Sequence, residues 1–203
     1  MSSTISLKNL RRPLNMSKIK LSDVVVVTTN EDKLAEINDI LGTNHKVSKN
    51  DITEIQSLDL DEVIADKAKK AYQIVKKPVL VEDVSLEIKA LGGLPGPFVK
   101  FFLATLGTEG TVALVKGKDT ATKATCAAAI FDGQNLKIFK GTVYGALSSK
   151  NKGKHRFGFD KVFIPKGYKQ TFAQMPPALK NQISHRALAL RKIKKYLSSN
   201  RRS

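Results

Sequence analysis

Acidic residues are scarce in this chain of 203 residues, which has 18 Asp and Glu against 35 Lys and Arg and a formal net charge of +17. Such a balance favours an anionic partner, for example a polyphosphate or a nucleic acid. Residues 1–22 and 161–203 contain five and eleven cations and no acid. A nucleic-acid-binding module is therefore one hypothesis, although few aromatic side chains are interleaved with these cations, and a solvated basic surface is the favoured alternative.

Cysteine and long hydrophobic runs are also nearly absent. The single Cys126 excludes an internal disulfide framework and favours a reducing compartment, so we expect a cytoplasmic protein. No apolar run approaches the roughly 20 residues of a membrane helix, and we expect no membrane association. With 41% hydrophobic residues, the composition is that of a globular domain with a core.

Hydrophobic periodicity predicts one mixed α/β domain over residues 23–197. Residues 1–22 lack periodicity and are interpreted as a flexible basic extension, with a transit peptide as the less favoured alternative; residues 198–203 form a basic tail. The predicted elements are, in order, a buried strand at 24–30, helices at 31–41 and 61–75, a short strand "VLV" at 79–81, a helix between Pro97 and Gly107, a hairpin turning at Asp132-Gly133, and one final helix from Pro176-Pro177 through Leu197.

The stretch "TTNEDK" places short polar side chains where the first strand runs into a helix. Free backbone N–H groups at a helix N-terminus bind anions, and Thr28, Thr29 and Asn30 lie there. Lys33 follows in the first helical turn, where the helix dipole disfavours a cation unless a phosphate is bound. A capping Asn beside a solvated Lys is the alternative interpretation.

Two adjacent carboxylates, Glu82 and Asp83, follow the apolar run "VLV". Adjacent side chains of a continuing strand point to opposite faces, so one acid could bind a metal while the other stays nearby. Hard oxygen ligands suit Mg²⁺, which is usually held by one or two carboxylates and substrate phosphates. Glu54 is a candidate third acid. Turn residues at a strand end are the alternative.

Three further motifs contain groups that could bind a ligand or take part in a reaction. The loop "GGLPGP" at 92–97 gives backbone freedom beside the acids, and Lys100 lies one turn into the next helix. The run "FGFD" at 157–160 offers a ring for base stacking and a carboxylate for hydrogen bonding. In "KNQISHR", Lys180 and Ser184 share a helix face, and Arg186 offers a rigid fork of donors.

Taken together and in order, "TTNEDK", "LVEDVSLEIKALGGLPGPFVKFFL", "FGFDKVFIP" and "KNQISHRALAL" resemble the inosine triphosphate pyrophosphatase family from about Val24 to Leu197. The resemblance implies a long, twisted mixed β-sheet with helices in two lobes and a nucleotide cleft between them. It also implies a homodimer, dependence on Mg²⁺ (with Mn²⁺ as a substitute), and no stable nucleic-acid partner. The implied reaction converts ITP, dITP or XTP to the nucleoside monophosphate and pyrophosphate.

The resemblance also assigns site residues by position. The resemblance implies that Asp83, Lys33 and Glu82 are catalytic. It implies that Glu54 and Asp83 bind the metal. Substrate binding falls to Thr28, Thr29, Asn30, Lys33, Lys67, Lys100, Phe157, Gly158, Phe159, Asp160, Lys180, Ser184, His185 and Arg186.

Four positions depart from the family pattern. Phe159 stands where Trp or Tyr is usual, Lys161 where Pro is usual, Gln174 where Glu is usual, and Thr29 where Gly is common. None of these changes alters a charged residue of the phosphate or metal set. A related pyrophosphatase for pyrimidine or methylated nucleotides is the third hypothesis, but that group lacks the "SHR" and "FGFD" elements.

Overall fold

The computed structural model describes residues 19–46, 50–154 and 157–199. One six-stranded sheet, with helices on both faces, organises this part of the chain. The elements are β1 (Val25–Val26), α1 (Glu31–Leu41), α2 (Leu60–Val75), β2 (Val79–Ile88), β3 (Pro95–Gly96), α3 (Val99–Ala113), β4 (Ala121–Phe131), β5 (Leu136–Leu147), β6 (Phe163–Pro165), α4 (Pro177–Ile183) and α5 (His185–Ser199).

The strand order is β1-β2-β4-β5-β6, and the short β3 pairs with the far end of β2. β1 lies parallel to β2, and every other pairing is antiparallel. The predicted mixed sheet is therefore confirmed. Its longest ladder joins β4 to β5 through the turn at Asp132-Gly133, where the Asp132 carboxylate accepts from two backbone N–H groups of the turn.

The alternation of β2 determines which side chains meet which helices. Leu80 and Val84 belong to the core cluster that includes residues of α1 and α5. Val79 and Val81 belong to the second cluster, under α2. Neighbouring residues of one strand thus face different layers of helix.

Four predicted boundaries were wrong. The first strand, predicted at 24–30, is limited to β1 at Val25–Val26. β2 does not end after "VLV" but continues through both carboxylates to Ile88. α3 does not end at Gly107, which takes a non-helical conformation (φ 65°, ψ −177°), and helix resumes to Ala113. The predicted final helix is two helices, because Ser184 is extended (φ −67°, ψ 158°).

The ends of the domain are packed as far as the structure describes them. Ile19, inside the predicted extension, is buried in the larger core cluster, and a 3-10 turn at Leu21–Asp23 follows. Residues 1–18 and 200–203, which hold most of the predicted extension and tail, lie outside the described residues, so the domain limits stay predictions. Within the described ranges, no helix has the length and apolar character needed to cross a membrane.

Gly141 of β5 brings α5 close to the sheet. A Cβ atom at this position would lie 2.1 Å from the carbonyl oxygen of His185 and 2.5 Å from the amide nitrogen of Ala189. Any side chain larger than hydrogen would push the first turn of α5 outward. The missing side chain therefore fixes the distance between the sheet and the residues that begin α5.

Candidate active site

A cavity of about 450 Å³ opens at the middle of β2, where Asp83 and Val84 line it. Its wall includes the β1–α1 junction, one residue of α2, the first turns of α3, the segment after residue 156 and the start of α5. The lining residues that had been predicted from sequence are Thr28, Thr29, Asn30, Lys33, Glu54, Lys67, Asp83, Lys100, Phe157, Gly158, Phe159, Asp160, His185 and Arg186.

The β1–α1 junction is a preformed helix N-terminus. The Asn30 side chain caps α1 by accepting from the backbone N–H of Lys33 at 2.8 Å. The backbone N–H of Asn30 in turn donates to the hydroxyl of Thr28 at 3.2 Å. These local bonds follow from the capping preference of Asn and present the first helical turn toward the cavity.

Lys67 of α2 interacts with two acids, Glu54 and Asp83, on the side of β2 that faces α2. Its ammonium lies 2.5 Å from Oε1 of Glu54 and 3.2 Å from the backbone carbonyl oxygen of Glu82. Burial opposes the charge on Lys67, but the nearby carboxylates of Asp83 and Glu54 outweigh it and raise its pKa. Burial also raises the pKa of Asp83, although Lys67 and Lys33 act in the opposite direction. Asp83 thus combines a cationic neighbour with a raised proton affinity.

Glu82 lies on the opposite face of β2. Its Oε1 is 2.7 Å from the ammonium of Lys33, and its Oε2 is 3.1 Å from both Nε and Nη2 of Arg186. Burial alone would raise the pKa of Glu82, but Arg186 and Lys33 lower it well below its usual range. Glu82 is therefore ionised and is not among the residues that line the cavity.

An alternating chain of charges continues from Glu82 toward α4. Arg186 also pairs with Glu36, Glu36 pairs with Lys180, and Lys180 pairs with Asp160. Three cations and three carboxylates thus form one chain, which we call the ion chain; its members are Lys33, Glu82, Arg186, Glu36, Lys180 and Asp160. Buried charges are costly unless they are paired. The alternation of charge therefore allows charged side chains to lie in the cavity wall and beneath it.

Aromatic rings cover the end of the ion chain. Nζ of Lys180 and Cζ of Arg186 each lie 5.3 Å from the ring centroid of Phe157. The ring of His185 stacks on Phe159 with the centroids 5.5 Å apart. Burial lowers the pKa of His185 well below its usual value, so the imidazole is neutral. Among the described residues its Nδ1 has no hydrogen-bond partner, which leaves a polar atom for a bound molecule.

Comparison with known proteins shows the family of this chain. A sequence model of the Ham1 family matches residues 24–196. The chain belongs to the Ham1 family. It is similar to the inosine triphosphate pyrophosphatase of Yarrowia lipolytica, with 43% identity over 86% of this chain and 95% of the relative.

Other Ham1 relatives span different organisms. The dITP/XTP pyrophosphatase of Saccharolobus solfataricus is 39% identical over 86% of this chain and 93% of its own length. Among solved structures, a Ham1 protein from Coxiella burnetii superimposes with a TM-score of 0.75 at 26% identity, covering 87% of this chain and 98% of that one. The mixed α/β fold is thus that of the Ham1 structures.

Three predicted site residues of this Ham1 protein do not line the cavity. Glu82 and Lys180 lie beneath it in the ion chain. Ser184 is buried, and its Oγ accepts from the backbone N–H of Ala187 at 3.1 Å. Ser184 therefore caps α5 and fixes the orientation of His185 and Arg186.

Several residues of the site are not among those predicted from the sequence. Glu36, which pairs with both Arg186 and Lys180, had no motif, although it lies one turn after Lys33 on α1. Phe101 also lines the cavity while its side chain is half exposed. The remaining unpredicted polar wall residues are Asp32, Asn50 and Asp51. Residues 155 and 156, which precede Phe157, lie outside the described residues.

The donor set can be tested against the expected metal. Among the described residues, no three Asp, Glu, His or Cys side chains form a ready ligand group. The acids that line the cavity near Lys67 are Glu54 and Asp83. Mg²⁺ commonly takes one or two carboxylates and completes its shell with water and substrate phosphates. Two carboxylate residues therefore fit a Mg²⁺ ion whose remaining ligands are water or substrate phosphates.

Proposed function

We propose that this chain hydrolyses the non-standard purine nucleoside triphosphates ITP, dITP and XTP to the nucleoside monophosphate and pyrophosphate. The observation that carries the proposal is one cavity that combines a helix N-terminus with Lys33, a carboxylate pair, and a pocket of rings and donors around His185. The first group suits a polyphosphate, and the last suits a nucleobase. The names of the Ham1 relatives support the same substrate class.

Asp83 is the proposed general base. Water attacks the α-phosphorus, the new P–O bond forms, and the water's proton passes to the Asp83 carboxylate. The bond from the α-phosphorus to the oxygen bridging the α- and β-phosphates breaks, and pyrophosphate leaves with that oxygen. Lys33 and the N-terminus of α1 hold the departing phosphates, where negative charge grows during the reaction.

Glu54 and Asp83 are the proposed ligands of Mg²⁺, with Mn²⁺ as a substitute. When bound, the ion supplies charge neutralisation at the phosphate oxygens. Lys67 lies against Glu54 and near Asp83, and we propose that its ammonium moves onto a phosphate oxygen when nucleotide binds. Lys100, on the first turn of α3, adds a further cation to the same wall.

Base recognition is assigned to Arg186, His185 and the rings of Phe157 and Phe159. A guanidinium has five N–H groups, and the hydrogen bonds of Arg186 to Glu82 and Glu36 use two of them, while Nη2 lies 3.1 Å from Oε2 of Glu82. The remaining donors suit O6 of hypoxanthine and would meet a 6-amino donor in adenine. Because mismatched buried polar groups are costly, rejection of ATP by roughly 10²-fold or more is expected.

A hydrolysis panel tests the proposal. Purified protein is given ITP, dITP, XTP, ATP, GTP and CTP with Mg²⁺, and pyrophosphate and orthophosphate are scored separately. We expect pyrophosphate from the first three and little product from ATP. Orthophosphate with nucleoside diphosphate as main products, or equal rates on ITP and ATP, would contradict it.

The proposal includes a homodimer in the cytoplasm. The family resemblance supports the first expectation, and the single buried Cys126 suits a reducing compartment. Light scattering of the purified chain measures the oligomeric state, and fractionation of the source cells measures the location of the protein. A monomer at micromolar concentration, or recovery in an organelle, would contradict them.

A further inference from the structure

We infer that Glu82 is a positioning residue that holds Lys33 and Arg186 in a fixed relation, and that it binds neither metal nor the attacking water. The inference rests on the proposed function, because Lys33 is placed at the phosphates and Arg186 at the base. The family resemblance implied that Glu82 is a catalytic acid. The inferred role is indirect, because Glu82 acts through two cations, Lys33 and Arg186.

The contacts of Glu82 leave little room for another ligand. A carboxylate offers about four lone-pair sites. Oε2 is contacted by Nε and Nη2 of Arg186 at 3.1 Å each and by Sγ of Cys126 at 3.3 Å, and Oε1 forms an ion pair with Nζ of Lys33 at 2.7 Å. The side chain is 2% exposed. A metal could reach Glu82 only by displacing the partly exposed Lys33 from Oε1 or the buried Arg186 from Oε2.

The arrangement around Glu82 connects distant parts of the chain. Lys33 comes from the first turn of α1, Arg186 from the first turn of α5, and Cys126 from the neighbouring strand β4. Long cationic side chains lose rotamer freedom when they are ordered. Glu82 maintains that order before substrate arrives, so the guanidinium of Arg186 and the ammonium of Lys33 already have fixed positions when a nucleotide binds.

Asp83, one residue away, has a different environment. It faces Lys67 and Glu54 across the cavity wall, and its carboxylate accepts from the backbone N–H of Val84 at 2.8 Å. The strand thus separates two tasks by its alternation: Asp83 faces the reacting groups, and Glu82 orders the cations that hold the substrate.

The first experiment compares Glu82→Gln with Glu87→Gln, in full-length protein. Glu87 lies on the same strand and pairs with Lys123 at 2.7 Å, where both side chains are 36% exposed. We measure kcat/KM for ITP and for ATP, and nucleotide-free Mn²⁺ binding by electron paramagnetic resonance. Glu82→Gln should narrow the preference for ITP over ATP by about 10-fold or more, because the donors lose their alignment. It should retain the Mn²⁺ binding that Asp83→Asn loses, and Glu87→Gln should behave as wild type.

A second pair of variants keeps the charge of Glu82 and guards against a folding failure of Glu82→Gln. Cys126→Ala removes one donor to Oε2, and Cys126→Ser replaces it with a hydroxyl donor at the same buried place. Cys126→Ala should narrow the ITP preference in the same direction as Glu82→Gln, by a smaller factor. Cys126→Ser should restore it. A purely structural role for the thiol would change thermal stability and leave the substrate ratio unaltered.

The inference is overturned if Glu82→Gln loses Mn²⁺ binding, or if wild-type substrate preference survives in Glu82→Gln, or in Cys126→Ala when the former does not fold. The proposed function fails in a different way, because wild-type protein would then release no pyrophosphate from ITP. The two failures are therefore distinguishable in one set of assays.

Discussion

The close approach of α5 to Gly141 allows the base pocket to be moved without touching a residue that faces the substrate. In Gly141→Ala, the new Cβ would lie 2.1 Å from the carbonyl oxygen of His185, whereas ordinary contact begins near 3.4 Å. The first turn of α5 would have to retreat by about 1.3 Å to relieve this contact. That turn carries His185 and Arg186, so both would move away from their places in the proposed base pocket.

We expect Gly141→Ala to lower kcat/KM for ITP by about 10²-fold, since a misplacement near 1 Å has effects of this size. Steady-state assays on ITP and ATP, with far-ultraviolet circular dichroism to confirm folding, measure the change. Gly145→Ala is the matched control, because its Cβ would lie 2.2 Å from the carbonyl oxygen of Ile164, on the side of β5 that meets β6. Both variants should lose about 1–3 kcal/mol of unfolding free energy through overpacking.

The comparison of the two glycine variants separates an effect of α5 position on activity from an effect of general destabilisation. Equal losses of activity would mean that general destabilisation, not the position of α5, lowers turnover. Unaltered kcat/KM in a folded Gly141→Ala protein would show that the spacing between β5 and α5 does not control the base pocket.

The remaining predictions concern single side chains of the cavity. Asp83→Asn should lower turnover by at least about 10²-fold, as expected for loss of a positioned base. Near-wild-type turnover would reject the assignment of Asp83 as the base. Without divalent cation, Asp83→Asn should also raise the unfolding free energy at neutral pH, because a carboxyl whose pKa is raised by folding costs stability once it is ionised. Lys33→Ala should lower both affinity for ITP and kcat, and an unaltered kcat would place Lys33 outside the transition state. The ITP-to-ATP ratio should stay constant from about pH 6 to 8, because His185 remains neutral there; a step near the ordinary histidine pKa of about 6.5 would contradict this.

Local signals in the sequence predicted much of the fold. The Asn30 cap with Gly42 beyond the last turn gave the bounds of α1 correctly, and Asp132-Gly133 predicted the hairpin. These features succeed because capping and tight turns depend on residues that are neighbours in the chain. The break at Ser184 was missed because apolar spacing continues across it, although a Ser followed by helical periodicity is itself a capping signal.

Long-range pairing explains what the sequence could not predict. A carboxylate pair was taken as the end of a strand, because a buried strand seldom carries unpaired charge. Glu82 is tolerated inside β2 because Lys33 and Arg186 reach it from 49 residues before and 104 residues after it. Glu36 belongs to the same chain of pairs and is invisible to motif reasoning for the same reason.

The alternation of charge in the ion chain divides the cavity into two electrical zones. At the proposed base site, each cation is neutralised by a carboxylate within hydrogen-bonding distance, so little net field extends into the pocket from Arg186 and Lys180. At the proposed phosphate site, Lys100 and the N-terminus of α1 add positive potential. Dissolved salt screens the field of exposed charges much more than it weakens buried hydrogen bonds. Raising ionic strength should therefore slow the capture of every nucleoside triphosphate alike and leave the choice among bases unchanged.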